Sequence, residues 1–517
     1  MSPLHSDFES TTMLPQDDFN RELLDNVHPA DWINPTPTAR YQMVVIGAGP
    51  AGLVTAAIGA AIGAKVALIE KRWMGGDCLN VGCVPSKGVI AASRVWADAR
   101  RANAFGLTLP DGLKTDFGAV MARMRKLRAR ISQNDSAHRF KKMGIDVFFG
   151  EGHFTGSNTI EVDGKVLNFK KAAICTGTRA HIPLIPGLAQ VGYLTNETLF
   201  TLTDLPPKMA VIGAGPIGCE MAQSFARFGS AIALFVKGDH ILPREDQDAA
   251  RWVYAQMKKD GVAFIFNANM IRVSSSGKEK VIHYEEDKIE KTCVVDEIFV
   301  AAGRAPNVEG LGMEKAGVHY HDKTGVVVNA FLQTTNPSIY AAGDICFPYQ
   351  FTHVADKMAG ILIQNALLPH PFGLGLASTD SMIIPWCTYT SPEIAHVGLT
   401  EAKAIARGIP VESFTCECSD VDRAILDGEE EGFLRVHLRK GTDQILGATW
   451  VAARAGEMIS EITLAMTAKI GLHTILNAIH PYPTQAEMIR KVALQWKKST
   501  FTAKKQKLLT KWFSMNR

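Results

Sequence analysis

The sequence has no large excess of charge of either sign. Its 55 Lys and Arg residues and 52 Asp and Glu residues leave a net charge of +3. This charge is too small to indicate nucleic-acid binding over the whole surface. Apolar residues make up 46% of the chain and charged residues 21%, which is the ordinary balance of a globular protein.

Cysteine is scarce and is not arranged as a disulfide framework. The nine cysteines are an odd number, which does not suit a secreted protein whose cysteines all pair. Several stand alone in apolar segments and are typical of small buried residues: Cys175, Cys219, Cys293 and Cys346. The first residues are acidic and lack an apolar core segment, so neither a signal nor a transit peptide is expected. We therefore predict a reducing, cytoplasmic location.

One segment without charge is long enough to span a bilayer. It runs from Met43 to Ala64, but its glycines divide it into "MVVI", "GAG" and "PAGLVTAA". That division predicts a strand, a turn and a helix. No transmembrane segment is expected.

The chain of 517 residues is too long for a single core, so two to four domains are expected. Two segments resemble each other, "MVVIGAGPAGLVTAAIGAAIGAKVALIEK" (43–71) and "MAVIGAGPIGCEMAQSFARFGSAIALFVK" (209–237). Both predict a strand, a Gly-rich turn, an apolar helix and a second strand, so a whole binding unit is duplicated. From Ser381 the pattern changes to short alternating strands and an Ala-rich helix, which predicts an α+β domain.

The first repeat has the pattern of a dinucleotide-binding unit. Gly47 permits the tight turn, Gly49 lets a pyrophosphate approach the backbone, and Gly52 lets the helix and strand pack closely. The phosphates would then face a helix N-terminus, where free N–H groups favour anions. Glu70 ends the second strand and is placed to accept a hydrogen bond from a ribose hydroxyl.

The second repeat keeps the glycines but not the acid. The glycines are Gly213, Gly215 and Gly218. Val236 stands in the place of Glu70 and is followed by cations at Lys237, His240 and Arg244. Because a carboxylate would repel a ribose 2′-phosphate and these cations would attract one, NADPH is favoured over NADH.

Two dinucleotide folds in one chain require two dinucleotides. If one is a nicotinamide nucleotide, FAD is the most economical partner, because hydride transfer from a nicotinamide to a flavin is the standard coupling. Asp344 in "AAGD" lies at a predicted strand end, suited to the ribityl or phosphate region of the flavin.

The loop "GGDCLNVGC" places Cys78 and Cys83 close together at the start of a predicted helix. They are too near in sequence to close a stabilising long loop, and no further soft ligands with zinc spacing are visible nearby. A pair at a helix start suits reversible thiol–disulfide exchange, because the helix dipole favours the thiolate. Cys416 and Cys418 are interpreted as an incidental surface pair on one face of a strand.

The segment "GGDCLNVGCVPSK" closely resembles the signature of the class I pyridine nucleotide–disulfide oxidoreductases, among them mercuric reductase, dihydrolipoamide dehydrogenase and glutathione reductase. The resemblance extends from about Tyr41 to Val492 and includes "GCE", "GRAPN", "AAGD" and "PTQAE". It implies that Cys78 meets the substrate, that Cys83 is the charge-transfer thiol, and that Lys87 and Glu220 form an ion pair near the reactive flavin ring. It also implies cofactor contacts, which we assign to Lys87, Gly177, Gly303 and Arg304.

The chain departs from this family pattern in several places. Asp77 stands where the family usually has Thr, and a carboxylate there should raise the pKa of Cys78. Tyr482 occupies the place of the family's proton-shuttling His, which comes with a Glu, here Glu487, from the partner subunit. His480 lies two residues upstream and is a possible substitute.

A Tyr in that position resembles mercuric reductase, but the likeness is incomplete. No cysteine follows Cys418, so the C-terminal cysteine pair of that enzyme is missing, and residues 122–144 lack its second Tyr. An amino-terminal metal-binding domain is also absent from the sequence.

The expected fold class is α/β, with two Rossmann-like dinucleotide-binding domains, for FAD and NAD(P), and a C-terminal α+β dimerisation domain. The expected division is an N-terminal extension (1–40), the first part of the FAD domain (41–190), the NAD(P) domain (191–306), the second part of the FAD domain (307–375), the dimerisation domain (380–500) and a basic tail (501–517).

The resemblance implies a homodimeric oxidoreductase that passes electrons from NADPH (or NADH) through FAD and a Cys78–Cys83 disulfide to an acceptor. The first choice of acceptor is a soft metal ion such as Hg(II) or Cu(II), treated as a substrate because no resident metal site is predicted. Alternatives are a small disulfide or lipoamide with His480 as the acid, a quinone or dye reduced without the cysteines, and a redox sensor that signals through the basic tail.

Overall fold

The computed structural model describes residues 12–110, 112–286 and 288–516. The chain divides into two compact units: Met1–Asp239 with Gly261–Met382, and His240–Asp260 with Ile383–Arg517. The strands are β1 (Tyr41–Ile46), β2 (Val66–Glu70), β3 (Asp146–Phe149), β4 (His153–Gly156), β5 (Thr159–Val162), β6 (Lys165–Ile174), β7 (Thr178–Ala180), β8 (Lys208–Ile212), β9 (Ala231–Phe235), β10 (Val262–Ile265), β11 (Asn269–Ser276), β12 (Glu279–Glu286), β13 (Ile289–Val295), β14 (Glu297–Val300), β15 (Arg304–Pro306), β16 (Tyr320–His321), β17 (Gly325–Val326), β18 (Ile339–Ala341), β19 (Pro385–Thr388), β20 (Glu393–Gly398), β21 (Val411–Glu417), β22 (Phe433–Arg439) and β23 (Ile445–Ala452).

The α-helices of the first unit largely alternate with its strands along the chain. Those of the second unit lie before, between and after the strands of its sheet. They are α1 (Asp18–Val27), α2 (Pro50–Ala61), α3 (Gly76–Asn80), α4 (Cys83–Arg100), α5 (Phe117–Ser132), α6 (Ala137–Lys142), α7 (Leu188–Val191), α8 (Asn196–Leu199), α9 (Pro216–Phe228), α10 (Gln247–Lys259), α11 (Thr352–Leu367), α12 (Glu401–Ala406), α13 (Asp422–Leu426), α14 (Ala455–Thr467), α15 (Leu472–Asn477), α16 (Glu487–Ser499) and α17 (Ala503–Met515).

The first unit contains two separate sheets built around parallel strands. The larger has the order β3-β2-β1-β6-β5-β4, with β18 also parallel to β6, and its first four strands are parallel. Every residue of β2 is buried, as expected for a parallel strand covered on both faces. The smaller parallel sheet has the order β10-β9-β8-β14, and β11 to β13 form an antiparallel sheet beside it. The two predicted strand–turn–helix repeats are confirmed as β1–α2 and β8–α9.

The second unit is built on one antiparallel sheet of order β19-β20-β23-β22-β21. Helices α14 and α16 cover one face, and the core between them and the sheet includes the fully buried Trp450. Helix α10 covers the other face, where Thr449 donates a hydrogen bond to Asp246 over 3.1 Å. The expected α+β character of the C-terminal part is confirmed.

The interpretation of Cys416 and Cys418 as an incidental surface pair is wrong. Both side chains are 1% exposed and belong to the core beneath α16. Cys418 lies just past the end of β21, in a turn, and its thiol is 4.0 Å from the sulfur of Met488. Both thiols do share one side of the sheet, and the surface assignment failed because α16 covers that side.

The described residues before β1, from Thr12 onward, pack against the rest of the first unit. Helix α1 lies against α5, and its Leu23 and Val27 are fully buried. Asn20 accepts a hydrogen bond of 2.7 Å from Arg128, a side chain only 2% exposed. Arg128 also donates to the carbonyl of Asn80, between the two cysteines, over 2.5 Å. The N-terminal segment thus supports the loop that carries Cys78 and Cys83.

No helix among the described residues is both long enough and apolar enough to cross a membrane. The uncharged segment that begins at Met43 forms the end of β1, a turn and helix α2.

Replacing Asn20 with Ala should destabilise the first unit. The change leaves a buried guanidinium without one acceptor, and such a loss costs about 1–3 kcal/mol. The expected result is a lower thermal unfolding midpoint, measured by differential scanning fluorimetry. Glu22→Ala, at an exposed position of the same helix, is the matched control. Equal midpoints for the two variants would contradict the supporting role of Asn20.

Candidate functional site

The first glycine turn is shaped by backbone contacts that exclude side chains. At Gly47, whose φ is +99°, a Cβ would lie 2.4 Å from the carbonyl oxygen of Cys175. At Gly52 a Cβ would lie 1.8 Å from the carbonyl oxygen of Gly47. Gly49 is different, because a Cβ added there would have the Gly76 Cα, at 3.8 Å, as its nearest neighbour. Two glycines therefore maintain the fold, and the third leaves space above the N-terminus of α2, which has no side-chain cap.

Glu70 lies beneath this turn at the end of β2. Its carboxylate accepts backbone hydrogen bonds from Ala48 over 2.8 Å and from Arg72 over 2.7 Å. Burial raises its pKa, and the two backbone hydrogen bonds oppose that effect. Each carboxylate oxygen keeps a second lone pair, so Glu70 can hold the turn and still accept from a ribose hydroxyl.

The second turn repeats the geometry of the first. A Cβ at Gly213 would lie 2.4 Å from the carbonyl oxygen of Ala301, and one at Gly218 would lie 1.9 Å from that of Gly213. A Cβ at Gly215 would meet nothing within 4 Å, and α9 also lacks a side-chain cap. The same space above a helix N-terminus is therefore present twice, which fits two anionic dinucleotides.

The residues after β9 differ from those after β2. Val236 is buried and its backbone N–H bonds the carbonyl of Ile265 over 2.9 Å. Lys237 follows and is exposed, and Arg244, also exposed, belongs to the second unit. An apolar side chain thus takes the position that Glu70 has in the first repeat.

The cysteine loop packs directly on the first glycine turn. The N–H of Gly75 donates to the carbonyl of Ala48 over 2.8 Å. A Cβ at Gly76 would lie only 2.7 Å from the Cα of Gly49. Helix α3, which carries Cys78, and helix α4, which begins at Cys83, are therefore anchored to the nucleotide-binding turn.

The two thiols hydrogen-bond to each other and differ in character. The hydrogen bond from Cys78 lowers the pKa of Cys83 to about 6, with help from Thr352 and Lys87 and against burial. The same hydrogen bond and burial raise the pKa of Cys78, and the charge of Asp135 adds to this effect. Cys83 is exposed, and its sulfur is 3.4 Å from the Thr352 hydroxyl. The pair thus combines a thiolate at Cys83 with a proton held on Cys78.

Lys87 and Glu220 form an ion pair next to this helix. The Lys87 ammonium, one turn after Cys83 on α4, lies 3.1 Å from the Glu220 carboxylate on α9. Glu220 is 5% exposed, so its charge is largely shielded from water. The structure brings together these two residues, which are far apart in sequence.

A second charged cluster lies at the ends of β7 and β15. Arg304 donates to the carboxylate of Asp77 and, over 2.6 Å, to the hydroxyl of Thr178. Asp344, just after β18, lies near this arginine, and burial raises its pKa to about 6. The carboxylate of Asp77 is therefore paired with the guanidinium of Arg304. Gly177 and Gly303, both with positive φ, lie in the turns before these two strands.

The three C-terminal candidates belong to the second unit and have separate partners. His480 Nε2 lies 2.9 Å from a Glu461 carboxylate oxygen on α14. Tyr482 is 70% exposed and donates over 2.8 Å to Asp422 on α13, which raises the pKa of the phenol. Glu487 begins α16, and its carboxylate oxygen lies 3.9 Å from a guanidinium nitrogen of Arg490. His480 and Tyr482 thus do not share a hydrogen-bond partner.

Several supporting residues have no sequence signal. Thr352 begins α11 far from the cysteine loop, and Arg128 and Asp135 lie in or after α5. Only the fold brings them to Cys78 and Cys83. Across the described ranges, no three His, Cys, Asp or Glu side chains converge as a metal site.

Comparison with known proteins gives consistent results. Residues 41–359 match the family model "Pyridine nucleotide-disulphide oxidoreductase", and residues 384–493 match its dimerisation domain. The chain is 32% identical to mercuric reductase of Staphylococcus aureus over 89% of this chain and 83% of that protein. It is also 32% identical to a dihydrolipoyl dehydrogenase of Bacillus subtilis, over 88% and 97%.

Solved structures agree with the sequence matches. The Cu(II) complex of the HOCl-induced flavoprotein disulfide reductase RclA from Escherichia coli superposes with a TM-score of 0.78 and 28% identity, covering 89% of this chain and 100% of that one. LpdA from Mycobacterium tuberculosis superposes with a TM-score of 0.79 and 25% identity, covering 89% and 100%. The chain therefore belongs to the pyridine nucleotide–disulphide oxidoreductases, a family of FAD-dependent enzymes that use a pyridine nucleotide.

Proposed function

We propose that this protein is an NADPH-dependent reductase that delivers electrons through FAD and the Cys78–Cys83 pair to a soft metal ion such as Hg(II) or Cu(II). The observation that carries the proposal is the unequal thiol pair anchored on the first glycine turn, with the Lys87–Glu220 ion pair one helical turn away. Relatives named mercuric reductase and a structural relative with Cu(II) bound support a metal acceptor.

The residues of the first unit fit FAD. Gly49 leaves the space that a pyrophosphate needs, Glu70 retains free lone pairs, and Asp344 lies buried at the end of β18. When bound, FAD would accept a hydride from the nicotinamide and pass the electron pair to the disulfide. Lys87 would hold a positive charge near the site of hydride transfer, and the Glu220 carboxylate would keep the Lys87 ammonium in place.

The cysteine pair would carry two electrons and two protons. Reduction of the disulfide by NADPH and one proton yields NADP⁺ and two thiols. With Hg(II), two thiols become a disulfide, the metal gains two electrons, and two protons are released. Cys83 would lose its proton first, because its pKa is near 6.

A homodimer completes this proposal. Residues 384–493 match a dimerisation domain, and Tyr482 is exposed within that range. We infer that Tyr482 and Glu487 of one subunit meet the cysteine pair of the other across a two-fold axis. A reducing cytoplasm suits an enzyme whose disulfide must be opened in every cycle.

Reduction of a small disulfide is the second candidate. The observation that favours it is the imidazole–carboxylate pair of His480 and Glu461, because a carboxylate that orients a histidine prepares it for proton transfer. Relatives named dihydrolipoyl dehydrogenase support this alternative.

The reduced enzyme should show a pH-dependent charge-transfer absorbance. Above pH about 6 Cys83 is a thiolate and the long-wavelength band is present; below it the thiolate is protonated and the band is lost. Absorbance of the two-electron-reduced protein, titrated from about pH 8 to 5, measures the midpoint. Lys87→Met should raise that midpoint, and Cys83→Ser should abolish the band. A band that persists in Cys83→Ser would contradict the assignment.

Lys237→Ala should weaken the use of NADPH but not of NADH. Loss of a charge-assisted contact with the 2′-phosphate should raise the KM for NADPH about ten-fold or more. Steady-state kinetics with both nucleotides measure the difference. The matched control is Lys278→Ala, at another exposed lysine of the first unit. Equal changes for both nucleotides would argue against a 2′-phosphate contact.

Tyr482→Phe and His480→Gln should separate the two acceptor classes. Loss of the phenol oxygen should lower Hg(II) or Cu(II) turnover about ten-fold or more, leaving reduction of lipoamide and glutathione disulfide mostly intact. His480→Gln should do the reverse if the second candidate is correct. Both variants should keep the Cys83 charge-transfer band. If Tyr482→Phe leaves metal turnover unchanged, the metal-ion proposal fails.

A further inference from the structure

Helix α17 is amphipathic, and the described chain leaves its apolar side chains largely exposed. None of its residues is buried. Its large apolar side chains have exposed fractions of 40% to 69%, and they are Leu508, Leu509, Trp512, Phe513 and Met515. A stable helix in water ordinarily buries its apolar face, so these side chains indicate a surface that binds something.

The apolar residues of α17 form one face. At 100° per residue, those five side chains occupy a single arc of about 160°. Lys504, Lys507 and Lys511 lie together outside this arc, on its flank next to Met515, whereas Lys505 lies within the arc. Thr502 caps the helix by accepting from the N–H of Lys505, so the helix has a defined start after the exposed Phe501.

The charge of this segment is of one sign. The sequence contains no Asp or Glu after Glu487. Among the described residues, the lysines on the polar face of α17 make no ion pair with an acidic side chain, whereas Lys259 and Lys280 do. Two such helices facing each other would bring like charges together, which disfavours a second copy of α17 as the occupant.

We propose that α17 binds the surface of a membrane containing anionic lipids. Its apolar face would enter the boundary between headgroups and acyl chains, and its lysines would contact lipid phosphates. Aromatic residues beside lysines are the composition of interfacial helices, and each lysine near an anionic surface contributes a favourable electrostatic interaction. The family match ends at residue 493, so this surface lies outside the family domains.

Cosedimentation of the full-length holoenzyme with vesicles tests the proposal. One set of vesicles is made of phosphatidylcholine alone, and in the other set about one-third of the lipid is phosphatidylglycerol. We expect binding to the anionic vesicles only, and weaker binding in high salt. The triple variant K504Q/K507Q/K511Q should bind on the order of a hundred-fold more weakly. The double variant L508S/W512S should lose binding although it keeps every lysine.

Three lysines elsewhere provide the matched control. Lys278, Lys315 and Lys440 are exposed, and their replacement by Gln should leave vesicle binding unchanged. Both tail variants should keep wild-type turnover in solution. Turnover tests the proposed reductase function, whereas vesicle binding tests the membrane proposal, so the two proposals can fail independently. Failure of the wild-type protein to bind anionic vesicles, or equal loss in the control triple variant, would overturn the proposal. A changed oligomeric state of the tail variants in gel filtration would also overturn it.

Discussion

The close approach of two backbones, at Gly49 and Gly76, is the constraint on which the candidate site depends. A Cβ at Gly76 would lie 2.7 Å from the Gly49 Cα, so no side chain fits between the nucleotide turn and the cysteine loop. The Gly75–Ala48 hydrogen bond secures the same contact. Because α3 and α4 begin from this anchor, the positions of both thiols are set by the turn that would bind the cofactor.

The difference between the two thiols follows from their surroundings. Cys83 begins a long helix, where partial positive charge favours a thiolate, and it receives hydrogen bonds from Cys78 and Thr352. Cys78 is more buried and is affected by the charge of Asp135. Asp77, the acid expected to act on Cys78, is instead bound by Arg304. The pair can therefore hold one negative charge and one proton, as alternation between dithiol and disulfide requires.

The segments at the two ends of the described chain lie outside the family match and differ in packing. Helix α1 buries Leu23 and Val27 and reaches the cysteine loop through Asn20 and Arg128. Helix α17 buries none of its residues. From their sequence, residues 1–40 are predicted only as an N-terminal extension and residues 501–517 only as a basic tail. Burial distinguishes a segment that supports the first unit from one that presents a surface.

The sequence by itself determined the features that depend on local spacing. These are the two glycine turns, the alternation of strands and helices, and the pairing of Cys78 with Cys83 at a helix start, because each involves neighbouring residues whose conformation is limited by sterics and helix geometry. Only the tertiary structure decided which distant residues reach them. Thr352 and Arg128 belong to no motif, and the motifs that contain Arg304 and Asp77 do not indicate that these two residues pair. Packing of whole helices and strands brings all four into place. The same reason explains the error at Cys416 and Cys418, where the cover of α16 placed both thiols in the core.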